Sequence, residues 1–265
     1  RRHTRSFHVT GVQTCALPIS AYELGSPCIG KDVREVAEAL GMGRGKVMGL
    51  KNVIGVQFKV TGTMADGAGM ARLTDTEFHM AYYLPAMRMF ASGTRANGQP
   101  LKEIRAFAVD RAWNETDEGR GATAAMNTFN ARLPLLKLTP YGAMWSVLEA
   151  EGHTTVTKTA DGKTVLTGTS PYDGIEVAIT VEDSRQHPKL GPYEPTELIR
   201  LPVAVTAKFN GHTYGATFAD YKSDLEPTVW MVFPTTIKWT LDGKPLRSEE
   251  HTSELQSRET ISYAV

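Results

Sequence analysis

Between residues 20 and 246 the side chains able to do chemistry are few and scattered. Gly41-Met42-Gly43-Arg44-Gly45-Lys46 has the glycines and lysine of a phosphate loop. It lacks the spacing before Gly-Lys and the hydroxyl after it, and no strand precedes it, so a helix end followed by a turn accounts for the glycines. His79, His153, His187 and His212 are isolated, in no spacing that brings two imidazoles to one metal. Cys28 carries no nucleophile signature, and no Gly-x-Ser-x-Gly is present. Glu182 and Asp183 are consecutive at a strand end, so their carboxylates point apart instead of sharing acid–base work. Asn114-Glu115-Thr116 matches a glycosylation sequon, which has meaning only in a eukaryotic secretory setting. The expectation is therefore no catalytic residue, no metal and no cofactor. Residues 80–90 differ, with Met80, Tyr82, Tyr83, Leu84, Met87, Met89 and Phe90 close together. Flexible methionines beside aromatics make surfaces that adapt to varied apolar ligands. The same residues would also serve to fill a core between a sheet and helices.

The elements that must position these residues are mostly strands. Ile54, Val56, Phe58 and Val60 alternate with polar residues, as do Ile175, Val177, Ile179 and Val181, and Val203, Val205, Ala207 and Phe209. That period of two gives a strand one buried and one solvated face. Asp66-Gly67, Asn97-Gly98, Asp161-Gly162, Asp173-Gly174, Asn210-Gly211 and Asp242-Gly243 fall between the runs and tolerate the positive φ that hairpin turns demand. Strands that follow one another so closely pair antiparallel, because parallel crossovers need a dozen or more residues. Two helical regions interrupt them. Residues 31–40 put Val33, Val36, Ala37 and Leu40 on one face and stop at Gly41. Residues 122–151 are broken near Pro134 and Pro140; beyond that, Thr139 caps a helix on which Tyr141, Met144, Trp145 and Leu148 share a face, ending at Gly152.

The two ends read differently. Residues 9–19 resemble an in-frame reading of a short-read sequencing adapter, and residues 247–257 resemble its other strand. Residues 1–5 and 261–265 fit the flow-cell sequence beyond, and Ser6-Phe7-His8 and Arg258-Glu259-Thr260 stand where a barcode would lie. Residues 1–19 and 247–265 are accordingly expected to be adapter-derived and set apart from fold reasoning. Residues 20–246 are expected to form a single β-rich domain, cut at arbitrary points of its gene. Five of the 29 basic and four of the 29 acidic residues lie in the flanks, leaving 24 against 25. Near neutrality provides no global field for nucleic acid or an anionic membrane. Cys28 alone remains, so neither an internal disulfide nor a zinc site follows. Leu24-Gly25-Ser26-Pro27-Cys28 is a poor lipoprotein attachment site because of Pro27, and no run of about 18 apolar residues spans a bilayer.

The residues 111–115 closing a strand, the helix start Leu138-Thr139-Pro140-Tyr141-Gly142, and residues 213–221 form a pattern. Phe218-Ala219-Asp220-Tyr221-Lys222 followed by Phe233-Pro234 is its most typical part. Over most of 45–246 the pattern resembles bacterial envelope proteins related to the outer-membrane lipoprotein carriers. The resemblance implies a mainly β (α+β) fold, a curved antiparallel sheet or incomplete barrel with helices packed on its concave face. It also implies a periplasmic or outer-membrane-associated protein that binds a hydrophobic ligand, an acyl chain or lipid, without catalysis. Phe58, Tyr82, Met87, Met89, Phe107 and Trp113 are the expected lining of the gap the helices leave. Related domains also precede metallo-hydrolase domains, so an accessory domain of a larger hydrolase, or a purely structural or interaction domain, is the alternative. Oligomeric state does not follow from the sequence.

Overall fold

Among the described residues the alternating runs form thirteen strands in one antiparallel sheet. The structure, a computed structural model, describes residues 29–42, 53–184, 199–226 and 229–251. Cys28, Lys46, His187, residues 1–19 and residues 252–265 lie outside those residues. Six strands come before the helical insert: β1 (Gly55–Asp66), β2 (Gly69–Ala81), β3 (Ala86–Thr94), β4 (Pro100–Ala108), β5 (Arg111–Glu115) and β6 (Thr123–Ala124). Seven come after it: β7 (Thr155–Lys158), β8 (Thr164–Thr169), β9 (Glu176–Ser184), β10 (Ile199–Phe209), β11 (His212–Glu226), β12 (Val229–Leu241) and β13 (Lys244–His251). Each half is a meander in which every strand pairs with its neighbour in sequence, and β6 and β7 remain as open edges, so the barrel is incomplete.

The turns follow the dipeptides. Asn210 and Gly211 sit at φ 48° and 78°, and Asp242 and Gly243 at 49° and 75°. Both positions of a two-residue turn are then left-handed, which matches the right-handed twist of the strands they join. Three prolines, Pro202, Pro234 and Pro245, sit inside central strands, where each removes a ladder donor. The register slips beside Pro202 in β10, the β11–β12 ladder skips the pair of Asp220 (φ 55°) and Thr235 next to Pro234 without slipping, and the β12–β13 register slips beside Pro245. Thr235 repairs the second gap by donating its hydroxyl to the Asp220 carbonyl at 2.8 Å. Such slips bend strands and increase local twist, which curves the sheet.

The two halves meet through β13. It pairs with β12, and its residues Arg247 to His251 pair with Met64 to Val60 of β1. The strand therefore runs across residue 246 into the segment expected to be adapter. A backbone ladder uses only N–H and C=O groups, so an unpaired β1 edge accepts a strand of any ordinary sequence.

Helices fill the concave face. Helix α1 (Lys31–Ala39) buries Val33, Val36 and Ala37 and ends in a left-handed Gly41, with the Met42 amide bonded to the Ala37 carbonyl at 2.9 Å. This two-residue wrap satisfies carbonyls that the helix end would otherwise orphan. Residues 122–151 are less helical than expected. Thr123–Ala124 is strand, α2 is only Phe129–Arg132, and Leu133–Leu138 is a 3-10 segment. Pro134 and the Thr139-Pro140 pair remove donors and restrict the residues before them, which breaks the α ladder there. Helix α3 (Pro140–Glu149) starts as expected, with the Thr139 hydroxyl accepting from the Gly142 amide at 3.1 Å. It ends at Glu149 instead of running to Gly152. Tyr141 through Leu148 are all buried, so α3 is covered on every side instead of one. The Tyr141 hydroxyl donates to the Leu40 carbonyl at 2.8 Å and accepts from the Val232 amide at 3.0 Å, tying α3 to α1 and β12. Trp145 donates its indole N–H to the Val53 carbonyl at 2.8 Å.

Candidate functional site

The strands of the first half place two sets of side chains on opposite faces. On the inner face, Met87 and Met89 of β3 stand opposite Phe107 and Arg105 of β4, which stand opposite Ala112 and Asn114 of β5. The short α2 covers part of this surface, its Phe129 ring edge-on to Phe107 with centroids 5.8 Å apart. Between these strands, α2 and Leu135 of the 3-10 segment, a cavity of about 630 Å³ remains. Its apolar wall includes Met64, Met87, Met89, Leu135 and Trp239. A volume of this size lies within the range of about 300–1,000 Å³ found for small-molecule sites.

The remaining wall is charged. Glu103, Arg105, Asn114 and Arg132 line it. Arg105 donates Nε to Glu103 at 2.6 Å, and Arg95 bonds the same carboxylate and also Asp66, the latter at 3.1 Å. Burial alone would raise the Glu103 pKa, but Arg105 and Arg95 outweigh it and hold the carboxyl below its usual range. Arg132, only 6 % exposed, is bound differently. It donates Nη1 to the carbonyls of Ala106 at 2.8 Å and Trp113 at 2.7 Å, and Nη2 to Asn114 Oδ1 at 2.5 Å. Burial first, and then the Arg105 charge, pull its pKa down to about 10, with Glu103 partly offsetting them. It remains a cation at neutral pH, latching the helical strap to the β4–β5 backbone.

The six expected lining residues divide. Met87 and Met89 line the cavity. Phe58 and Phe107 lie on the same inner face but within the packed core. Phe58 stacks on Phe78 at 5.0 Å and meets Phe233 at 5.2 Å, and Phe107 is covered by Phe129. Tyr82 is buried with its hydroxyl 2.8 Å from Thr139 Oγ1, and burial pushes its pKa well up. Trp113 is on the opposite face, so the expectation for it is corrected. Phe107 opposes Ala112 across the β4–β5 ladder, which turns Trp113 to the convex side with Ala106. There Glu115 accepts from Trp113 Nε1 at 2.6 Å, the Gly119 amide at 2.8 Å and Arg88 at 2.9 Å. Arg105 and Arg132 went unnoticed in the sequence. The signal for Arg105 was its phase, since Leu101, Glu103, Arg105 and Phe107 alternate in step on β4.

The other chemical candidates stay apart. His79 pairs with Glu77 at 2.8 Å and His212 with Asp242 at 2.8 Å, while His153 is exposed. Glu182 is within 3.8 Å of Lys163 and Asp183 within 3.2 Å of Arg200, so the two carboxylates serve separate partners. Among the described residues no group of three or more His, Cys, Asp or Glu could hold a metal ion, and no helix is long and apolar enough to cross a membrane. No family model matches the chain, and no curated protein matches it.

Proposed function

We propose that this protein is a non-catalytic carrier that holds a hydrophobic ligand, an acyl chain or lipid, between the concave sheet and its helical strap. The observation that carries the reading is the cavity of about 630 Å³ with Met64, Met87 and Met89 on its wall. Methionine is unbranched and polarisable, so such a wall adjusts to chains of different length and bend. The resemblance of the sequence pattern to the lipoprotein carriers supports the same reading, and with it a bacterial envelope location.

The test uses the full chain stripped of lipid and titrated with a fluorescent fatty acid. Saturable uptake at micromolar concentration is expected. The Met87→Glu, Met89→Glu double variant buries two carboxylates in the apolar wall and abolishes uptake. Ala131→Trp, at an exposed position on the cavity rim, narrows the entrance without burying a charge and weakens uptake. A stripped chain that keeps its far-ultraviolet spectrum but takes up nothing saturably is a structural domain, and the carrier reading fails.

A further inference from the structure

An arginine buried to 94 % in a cavity is costly unless its charge is met. Arg132 is met only by neutral oxygens: two main-chain carbonyls and one side-chain amide. Among the described residues no carboxylate lies within 4.0 Å of it, although Glu103 is near enough to be felt. The three bonds use three of the five guanidinium N–H groups. Nε–H and one Nη2–H have no acceptor among the described residues, and Nε and Nη2 border one edge of the planar fork. The charges lining the cavity do not cancel. Lys102, Arg105 and Arg132 stand against Glu103 and Glu115, three positive against two negative. The polar wall adjoins the methionines directly, since Met89 and Arg105 are cross-strand partners.

We infer that the cavity takes a single-chain carboxylate amphiphile, its head on the open edge of Arg132 and its chain against Met87 and Met89. This rests on the carrier reading and names the chemical class of its ligand. A guanidinium edge presents two parallel donors at the spacing of two carboxylate oxygens, so the fit is geometric as well as electrostatic. One surplus positive charge is balanced by one negative charge. A phosphate monoester, carrying about −1.5 to −2 at neutral pH, would overshoot that balance. Arg105 is already engaged by Glu103 and sets the field without being the first contact.

The test compares dodecanoate, its methyl ester and dodecyl phosphate by titration calorimetry on the full stripped chain. The three probes share a chain and differ only in the head. Dodecanoate binds about tenfold or more tighter than the ester, the scale of a charge-assisted hydrogen bond, and no more weakly than the phosphate. Arg132→Gln lowers dodecanoate affinity to that of the ester for the same variant, so the preference for the acid is lost. Equal binding of acid and ester to the unmodified chain overturns the head-group assignment and leaves the acyl site intact. Tighter binding of the phosphate overturns the choice of carboxylate. A folded Arg132→Gln variant that keeps the preference for acid shows that Arg132 is only a latch. Binding of none of the three overturns the carrier reading itself. The acid–ester comparison needs no variant, so the inference stays testable even where Arg132→Gln does not fold.

Discussion

Tyr141→Phe is a sharp probe of how the helical strap is tied to the sheet. The tyrosine is fully buried, and its hydroxyl is the shared partner of the Leu40 carbonyl at 2.8 Å and the Val232 amide at 3.0 Å. Removing one oxygen atom leaves the ring stacked on Phe233, with centroids 6.1 Å apart, so little packing is lost. It strands a buried donor and a buried acceptor, each costing about 1–3 kcal/mol when unsatisfied. The Val232 amide already lies 3.4 Å from the Leu40 carbonyl, and that pair closes up to recover part of the loss. The expected cost is then about 2 kcal/mol. For a chain of this size that lowers the thermal midpoint by about 4–8 °C. Urea unfolding followed by circular dichroism reads it directly, as a lower midpoint at unchanged slope. Tyr82→Phe is the control. Its loss is smaller, because the Thr139 hydroxyl keeps the Leu136 carbonyl at 3.3 Å as an acceptor. A Tyr141→Phe cost below about 0.5 kcal/mol, the noise of an ordinary surface change, refutes the hydroxyl as a buried junction.

Two further outcomes follow from the charges and from the sheet. Glu77 and Glu103 are raised by burial but lowered more by their partners, His79 and Gln57 for the first and Arg105 and Arg95 for the second; both carboxyls end below their ordinary 4.5 in the folded chain. The unfolded chain takes up protons first, so their stabilisation is complete above that ordinary value and is lost as pH falls through the depressed ones. A thermal midpoint that climbs on acidification below pH 4.5 contradicts this. Deleting residues 247–265 removes all five pairs of β13 with β1 and leaves β13 only its first pairs with β12. Ladder bonds of about 0.5–1.5 kcal/mol each are set against ordering costs of about 1–2 kcal/mol per residue, so unfolding free energy should change by less than about 1 kcal/mol. A larger loss, measured by urea unfolding, shows that the segment is integral to the fold.

The class of fold was legible because turn chemistry is local. Asn210-Gly211 and Asp242-Gly243 announce left-handed backbone whatever surrounds them, and the strands between such turns leave antiparallel pairing as the simple solution. Thr139-Pro140 announced the start of α3 for the same reason. What was not local was misread. In the five-residue β5, Ala112 and Trp113 are adjacent apolar residues, and Trp113 was expected among the residues lining the gap. The register with β4 decides otherwise, and register depends on a partner strand the period does not name. Arg132 stood in a mostly apolar stretch, Phe129 to Leu136, where a lone charge marks either a break or a buried cation. Telling these apart requires knowing which carbonyls of β4 and β5 come within reach.

The sheet's connectivity has a consequence for how the molecule assembles. Every ladder but one joins strands adjacent in sequence, and the exception, β1 with β13, pairs residues nearly the whole described chain apart. Hairpins zip quickly because their ends are already close, whereas a contact between distant residues must first meet the entropy of closing a long loop. Each meander can therefore form on its own, from its own turns outward, before the other exists. The β1–β13 seam closes last, when α1, α3 and the 3-10 segment have drawn the halves together. By the same reasoning it opens first, and amide hydrogen exchange along Val60 to Met64 should report that opening long before the central hairpins give way.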